Sequence, residues 1–173
     1  MKDSKYQNPP PKGHPDQRVA VFVDVQNMFY SARKQFKAKL NYIRLLDEAV
    51  AGRRLVRALA YIVQTPEIDQ KNFIEMLTHN GFEVKSKALK VRPDGSTKGD
   101  WDMGIAIDAI GMADKLDVVI LVSGDGDFSS LVSMLKSRGV RVEVMAFPAS
   151  TADELSEVVD DFYPITHKLL IKD

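Results

Sequence analysis

The chain has 173 residues and 45% hydrophobic content, enough for one domain with a sizeable core. It contains no cysteine, which excludes disulfides, thiolate zinc sites, iron–sulfur ligation and cysteine nucleophiles, and fits a reducing cytoplasm. Its 24 basic residues balance 24 acidic ones, so it is not a strongly basic nucleic-acid binder; a surface for polyanions has to come from local segregation of charge.

Residues 1–17 are polar, carry Pro9-Pro10-Pro11 and read as a flexible tail before a single domain over 18–173. His14 reads as a solvated tail residue. The N-terminus runs into prolines rather than an apolar segment, so no signal peptide is expected. No apolar run approaches the roughly 18 residues of a membrane span. Residues 18–24, continuously apolar from Val19 to Val23 and closed by Asp24, predict a buried central strand. Helices follow over 26–37 and 42–51, the second ending at Gly52. A strand is expected over 54–63, a helix over 68–80 stopped by His79-Asn80-Gly81, and a strand over 82–91. Pro93-Asp94-Gly95 is a turn. A helix over 100–113, a strand over 117–122, a helix over 128–138 and a strand over 140–147 come next. The last helix is expected over 151–162, with Thr151 and Glu154 as a capping box. Strands separated by helices imply a three-layer α/β/α fold with a mostly parallel sheet and right-handed crossovers.

Four aspartates fall where strands end or helices begin: Asp24, Asp102, Asp125 and Asp127. In a parallel sheet such positions meet at the C-terminal edge, where α/β proteins bind ligands. Carboxylates gathered there repel one another unless a proton or cation intervenes. A divalent metal site is the economical explanation, and hard oxygen ligands favour Mg²⁺ or Mn²⁺. The bland alternative is that Asp24 and Asp127 merely cap helices. Ser123-Gly124-Asp125-Gly126-Asp127 is the sharper motif, since its glycines permit close backbone approach. It is not an EF-hand, because Lys136 stands where the bidentate glutamate belongs. There is no Gly-rich phosphate loop after the first strand and no Walker lysine.

Asp108 lies nearly two turns beyond Asp102 and ranks as supporting or structural. Trp101, the only tryptophan, is a packing residue or, at a site mouth, a platform for a base. Lys85, Lys87, Lys90, Arg92 and Lys98 form a basic run able to hold a phosphate backbone, or simply a solvated strand edge. Arg53, Arg54 and Arg57 pose the same choice. Met103 and Met112 read as core, and His79 and His167 as surface.

Together, Val21-Phe22-Val23-Asp24-Val25-Gln26-Asn27, Lys98-Gly99 with Asp102 and Asp108, and Val122-Ser123-Gly124-Asp125-Gly126-Asp127-Phe128 resemble the NYN domain family of the PIN-like ribonuclease superfamily, which includes LabA-like bacterial proteins. The resemblance spans about residues 18–165. It implies a PIN-like (Rossmannoid) fold, a Mg²⁺- or Mn²⁺-dependent nuclease site and RNA, single-stranded or structured, as substrate. Family members commonly carry two asparagines after the first aspartate, whereas here Gln26 precedes Asn27. The Lys-Gly-to-Asp spacing is one residue longer, through Trp101. Neither departure removes a carboxylate.

The expected function is therefore a cytoplasmic, metal-dependent ribonuclease. Asp24, Asn27, Asp102, Asp125 and Asp127 would be catalytic, the four aspartates holding the metal. Ser123, Lys98, Trp101, Lys90 and Arg92 would bind substrate. The alternative is a catalytically silent RNA- or protein-binding regulatory module of the same fold. A small-molecule phosphohydrolase ranks lower, because the first strand lacks an Asp-x-Asp nucleophile arrangement. No membrane partner is expected, and the helix faces leave room for a homodimer.

Overall fold

A computed structural model describes residues 13–65 and 69–171. In chain order the elements are β1 (Arg18–Asp24), α1 (Val25–Phe36), β2 (Lys39–Leu40), α2 (Tyr42–Val50), β3 (Arg54–Gln64), α3 (Lys71–His79), β4 (Glu83–Ala88), β5 (Lys90–Val91), β6 (Thr97–Lys98), α4 (Asp102–Met112), β7 (Val118–Val122), α5 (Ser129–Ser137), β8 (Arg141–Ala146), α6 (Asp153–Val158), β9 (Asp161–Pro164) and β10 (Leu170–Ile171). Six strands form one sheet in the order β4-β3-β1-β7-β8-β9, every neighbouring pair parallel. The chain starts in the middle at β1, moves outward to β3 and β4, then returns across the sheet to β7, β8 and β9. Right-handed crossovers in these two directions put α1–α3 on one face and α4–α6 on the other. The three-layer α/β/α architecture expected from the sequence is the one observed. Buried apolar residues of β1, β3, β7 and β8 form the centre of the core.

The reversal of direction falls between β1 and β7, so these neighbours diverge into helices on opposite faces and leave a crevice at their C-terminal ends. Their register is fixed at both ends. At the start, the Arg18 backbone N–H and guanidinium donate to the Asp117 carboxylate at 2.7 and 3.1 Å. At the other end, Val23 pairs with Val122, which sets Asp24 beside Ser123.

Arg53 is neither a phosphate binder nor a solvated cation. Its guanidinium grips Glu143 of β8 through two bonds of 2.9 Å, with both side chains 4% exposed. Carbonyls of Ala49 and Val50 and the Gln17 side-chain oxygen accept its remaining N–H groups. The pair ties β8 to the start of β3 across the two strands between them. Arg57 pairs with Glu83 on the edge strand.

Several elements depart from the sequence expectations. The strand expected over 82–91 ends at Ala88, because Ala88 pairs with Gln64, the last residue of β3. The chain then forms the antiparallel hairpin β5–β6. The helix expected over 151–162 is only the six residues of α6; Asp161–Pro164 instead adds an edge strand to β8. No capping box forms there: the Thr151 hydroxyl donates to the Phe147 carbonyl, and Ala152 precedes the helix. The two-residue ribbon of β2 with β10 was too short to show a periodicity. Met103 is 76% exposed rather than core, because α4 turns Ile105 and Ala109 inward; Met112 packs partly buried against the core. Of the expected tail, residues 1–12 lie outside the described residues, as does Ile68 of the expected third helix; Gln17 is already tied in, its carbonyl accepting the Arg54 N–H.

Removing Glu143 leaves the buried Arg53 guanidinium uncompensated, whereas Glu143 keeps a second partner in Arg141 at 3.2 Å. Glu143→Ala is expected to cost about 3–5 kcal/mol in urea unfolding, and Arg53→Met combined with Glu143→Leu distinctly less than Glu143→Ala alone. Additive losses in the double variant would contradict this.

Candidate functional site

The site is assembled where β1 and β7 end together. Asp24, 8% exposed, has both oxygens engaged. Oδ1 accepts the Asn27 backbone N–H at 3.2 Å, which caps α1, and Oδ2 accepts the Ser123 hydroxyl at 3.1 Å. Ser123 is fully buried, and its Oγ also accepts the Asp125 N–H at 3.2 Å. The Asn27 side-chain oxygen accepts the Gly124 N–H at 3.0 Å. Asp24, Asn27 and Ser123 thus knit the turn after β1 to the turn after β7. Asp125 in turn accepts the Asp127 N–H at 2.9 Å and starts the 3₁₀ turn Gly126–Phe128. Asp24 thus caps α1 as expected, whereas the cap after β7 is Asp125 and not Asp127, so capping and site formation are one arrangement here.

The glycines of this loop are needed for close approach. A Cβ at Gly124 would sit 2.7 Å from the Ser150 carbonyl oxygen, and one at Gly126 would sit 2.1 Å from Glu154 Oε1. The segment after β8 lies directly on the loop, and the Ala152 N–H bonds the Gly124 carbonyl at 3.0 Å.

Asp102 arrives from the other side of β1. Tyr61 is the last β3 residue paired with β1, opposite Asp24. One residue on, the Ile62 carbonyl accepts the Trp101 indole N–H at 2.9 Å. That bond anchors the start of α4, and the Asp102 N–H donates to Asp100 Oδ1 at 3.1 Å. Asp102, Asp125 and Asp127 then bring one carboxylate oxygen each within 4.8 Å of one another. A cavity of about 230 Å³ beside them is lined by Asp24, Gln26, Asn27, Tyr30, Ser31, Asp100, Asp102 and Asp125.

Among the described residues no lysine, arginine or histidine pairs with these carboxylates. The consequence is visible at Asp102, whose carboxyl is pushed up to about 7 by burial and then by the charges of Asp125, Asp100 and Asp24. Burial also raises Asp24, against the opposing hydrogen bonds from Asn27 and Ser123. Converging carboxylate oxygens with this uncompensated charge could hold a metal ion.

Of the expected metal ligands, Asp102, Asp125 and Asp127 come together, while Asp24 lies set back in the adjoining cavity. Ser123 is too buried to touch a substrate and instead orients Asp24 and Asp125. Trp101 is not an open base platform: Lys87 lies 4.5 Å over its ring, Tyr61 packs at 5.4 Å, and Gly104 abuts it so closely that a Cβ there would be 2.6 Å away. Asp108 stands apart, accepting the Tyr61 hydroxyl at 2.8 Å and Lys85 at 2.7 Å. Lys85 and Lys87 are thereby engaged. Lys90, Arg92 and Lys98 lie on the exposed hairpin without an acidic partner among the described residues, Lys90 directly opposite Lys98. Sequence reasoning missed Asp100 as a contributor, although its spacing to Asp102 repeats that of Asp125 to Asp127. It also missed Tyr30, which carried no signal separating it from a core aromatic.

Two outcomes follow from this geometry. Because Asp102 holds its proton to about pH 7 when folded but to about pH 4 when unfolded, its contribution to stability is full below about pH 4 and is lost as the pH rises through 7. In EDTA, the melting temperature of Asp102→Asn should therefore gain on wild type between about pH 5 and pH 8, and Mn²⁺ should reverse the gain; a pH-independent difference would contradict the raised proton affinity. Ser123→Ala, which frees Asp24 and Asp125, should weaken Mn²⁺ binding about 10- to 100-fold in calorimetry without unfolding the chain; unchanged affinity would dismiss the hydroxyl as an orienting group.

The family model described as the NYN domain matches residues 18–166. The Low amplitude and bright protein LabA of Synechococcus elongatus is 30% identical over 156 residues, covering 84% of this chain and 82% of that protein. The crystal structure of a protein of unknown function, VPA0982 from Vibrio parahaemolyticus, superposes with a TM-score of 0.84 at 38% identity over 92% of this chain and 99% of that one. The MAR1 ribonuclease of Caenorhabditis elegans shows 15% identity and a TM-score of 0.43 over 85% of this chain and 72% of that one, too distant to carry an argument.

Proposed function

The chain belongs to the NYN domain family, a PIN-like ribonuclease family, and from that premise we propose that it hydrolyses RNA phosphodiester bonds with the help of Mg²⁺ or Mn²⁺. The observation that carries this reading is the convergence of Asp102, Asp125 and Asp127 within 4.8 Å, with no neutralising side chain among the described residues. A fold that only bound RNA would gain nothing from repelling carboxylates at its binding crevice.

In this reading Asp102, Asp125 and Asp127 would hold the cation. Asp24, fixed by Asn27 and Ser123 in the adjoining cavity, would add its charge to theirs. A divalent ion bound there supplies positive charge for the phosphate oxygens and acidity for the attacking water. The rigid hydrogen-bonded turns hold the carboxylates in place before substrate arrives, so little reorganisation accompanies the reaction. Lys98, Lys90 and Arg92 hold non-scissile phosphates on the hairpin, which leads through Gly99 and Trp101 straight to Asp102. Trp101 acts by fixing the start of α4. The fold has no helix long and apolar enough to cross a membrane among the described residues.

The test is cleavage of end-labelled single-stranded RNA in Mn²⁺, Mg²⁺ or EDTA. Wild type should cleave only with metal, and Asp125→Asn and Asp24→Asn should lose cleavage while keeping their fold by circular dichroism. Retained cleavage in both variants would sink the assignment. Detectable Mn²⁺ binding without cleavage of several RNAs would favour the silent binding module of the same fold.

A further inference from the structure

One aromatic ring stands on the wall of the acidic cavity. Tyr30 lies one turn into α1 beyond Asn27 and lines the same cavity as Asp24, Asp100, Asp102 and Asp125. The helix buries Val25, Met28, Ser31 and Ala32, which leaves Tyr30 on the outer face, 61% exposed. Its ring is met edge-on by Phe29 at 5.6 Å and 78°, and Arg33 in turn lies 5.8 Å over the Phe29 ring. Among the described residues its hydroxyl has no hydrogen-bond partner. A supported aromatic ring with open surface is thus held beside the carboxylates.

We infer that Tyr30 is the platform on which an unpaired nucleobase stacks when the neighbouring phosphate lies at the aspartate cluster. The inference rests on the ribonuclease reading and adds to it the residue that recognises the base. The electrostatics favour this ligand. Phosphates are repelled by the uncompensated carboxylates until a cation is present, whereas stacking on a ring does not depend on charge. The sole tryptophan does not compete for the role, since Lys87, Tyr61 and Gly104 already occupy it. A base paired and stacked within a duplex has no free face to offer, so Tyr30 selects single-stranded or locally opened RNA.

The experiment is a double-mutant cycle between the side chain and the base. Single-stranded RNA oligonucleotides with one abasic position, moved step by step along the strand, are titrated by fluorescence anisotropy in Ca²⁺ against wild type, Tyr30→Ala and Tyr30→Phe; cleavage in Mn²⁺ is followed in parallel. For wild type, loss of the base at one position should weaken binding about tenfold to a hundredfold. Tyr30→Ala should bind intact RNA weakly and be indifferent to that abasic position, with Mn²⁺ binding unchanged. Tyr30→Phe, which keeps the ring, should restore base sensitivity. In cleavage, the loss should fall on KM rather than kcat. Equal sensitivity of wild type and Tyr30→Ala to every abasic position would overturn the inference, even if RNA is cleaved. Base-dependent binding through Tyr30 without cleavage would uphold it while the nuclease reading fails.

Discussion

Two neighbouring parallel strands that end at the same height set the terms for this molecule. Val23 of β1 pairs with Val122 of β7, so the next residues, Asp24 and Ser123, must lie side by side. The hydroxyl–carboxylate bond between them links the turns that follow, and each turn then adds its own groups: Asn27 from α1, Asp125 and Asp127 from the loop after β7. The strands diverge to opposite faces beyond this point, so backbone leaves the crevice while side chains remain. β3 runs on past the end of β1, which leaves its Ile62 carbonyl to anchor Trp101 and so bring in Asp102. The same topological reversal that opens the crevice thus also fills it with carboxylates.

Concentrating negative charge there opposes folding. Asp24 and Asp102 both hold protons more tightly than ordinary carboxyls, chiefly because they are buried. The frame that withstands this is remote from the site. Arg18 and Asp117 lock the far end of the β1–β7 pair, and the Arg53–Glu143 pair spans four strands of the sheet. Neither contributes chemistry, and both keep the strand ends in register. Local cost at the site and reinforcement elsewhere is a common bargain in functional folds.

The central architecture was legible because its signals are physical and local. A continuous apolar run stopped by polar residues, Asp24 after β1 and Ser123 after β7, specifies a buried strand and its C-terminal edge. Asp102 was legible as a helix start. Elements defined by their partners were not legible in the same way. β9 exists because β8 offers a free edge, and β5–β6 because β3 ends at Gln64; neither fact is written in those segments. Side-chain roles followed the same division. The carboxylates were found from position alone, but Ser123 proved an internal brace, Trp101 a packed anchor, Arg53 a buried cation and Met103 an exposed residue. Each of these depends on which face the fold turns inward. Tyr30 and Asp100 escaped notice because only the assembled cavity distinguishes them.

The central claim is that Asp102, Asp125 and Asp127 form a divalent cation site. Diffraction from crystals soaked in Mn²⁺, recorded at a wavelength where manganese scatters anomalously, locates the ion without reference to activity. The account predicts an anomalous peak within coordination distance of these three carboxylates, absent from crystals of Asp125→Asn. A fully soaked crystal with no peak at the strand ends, or with its peak elsewhere, would contradict it.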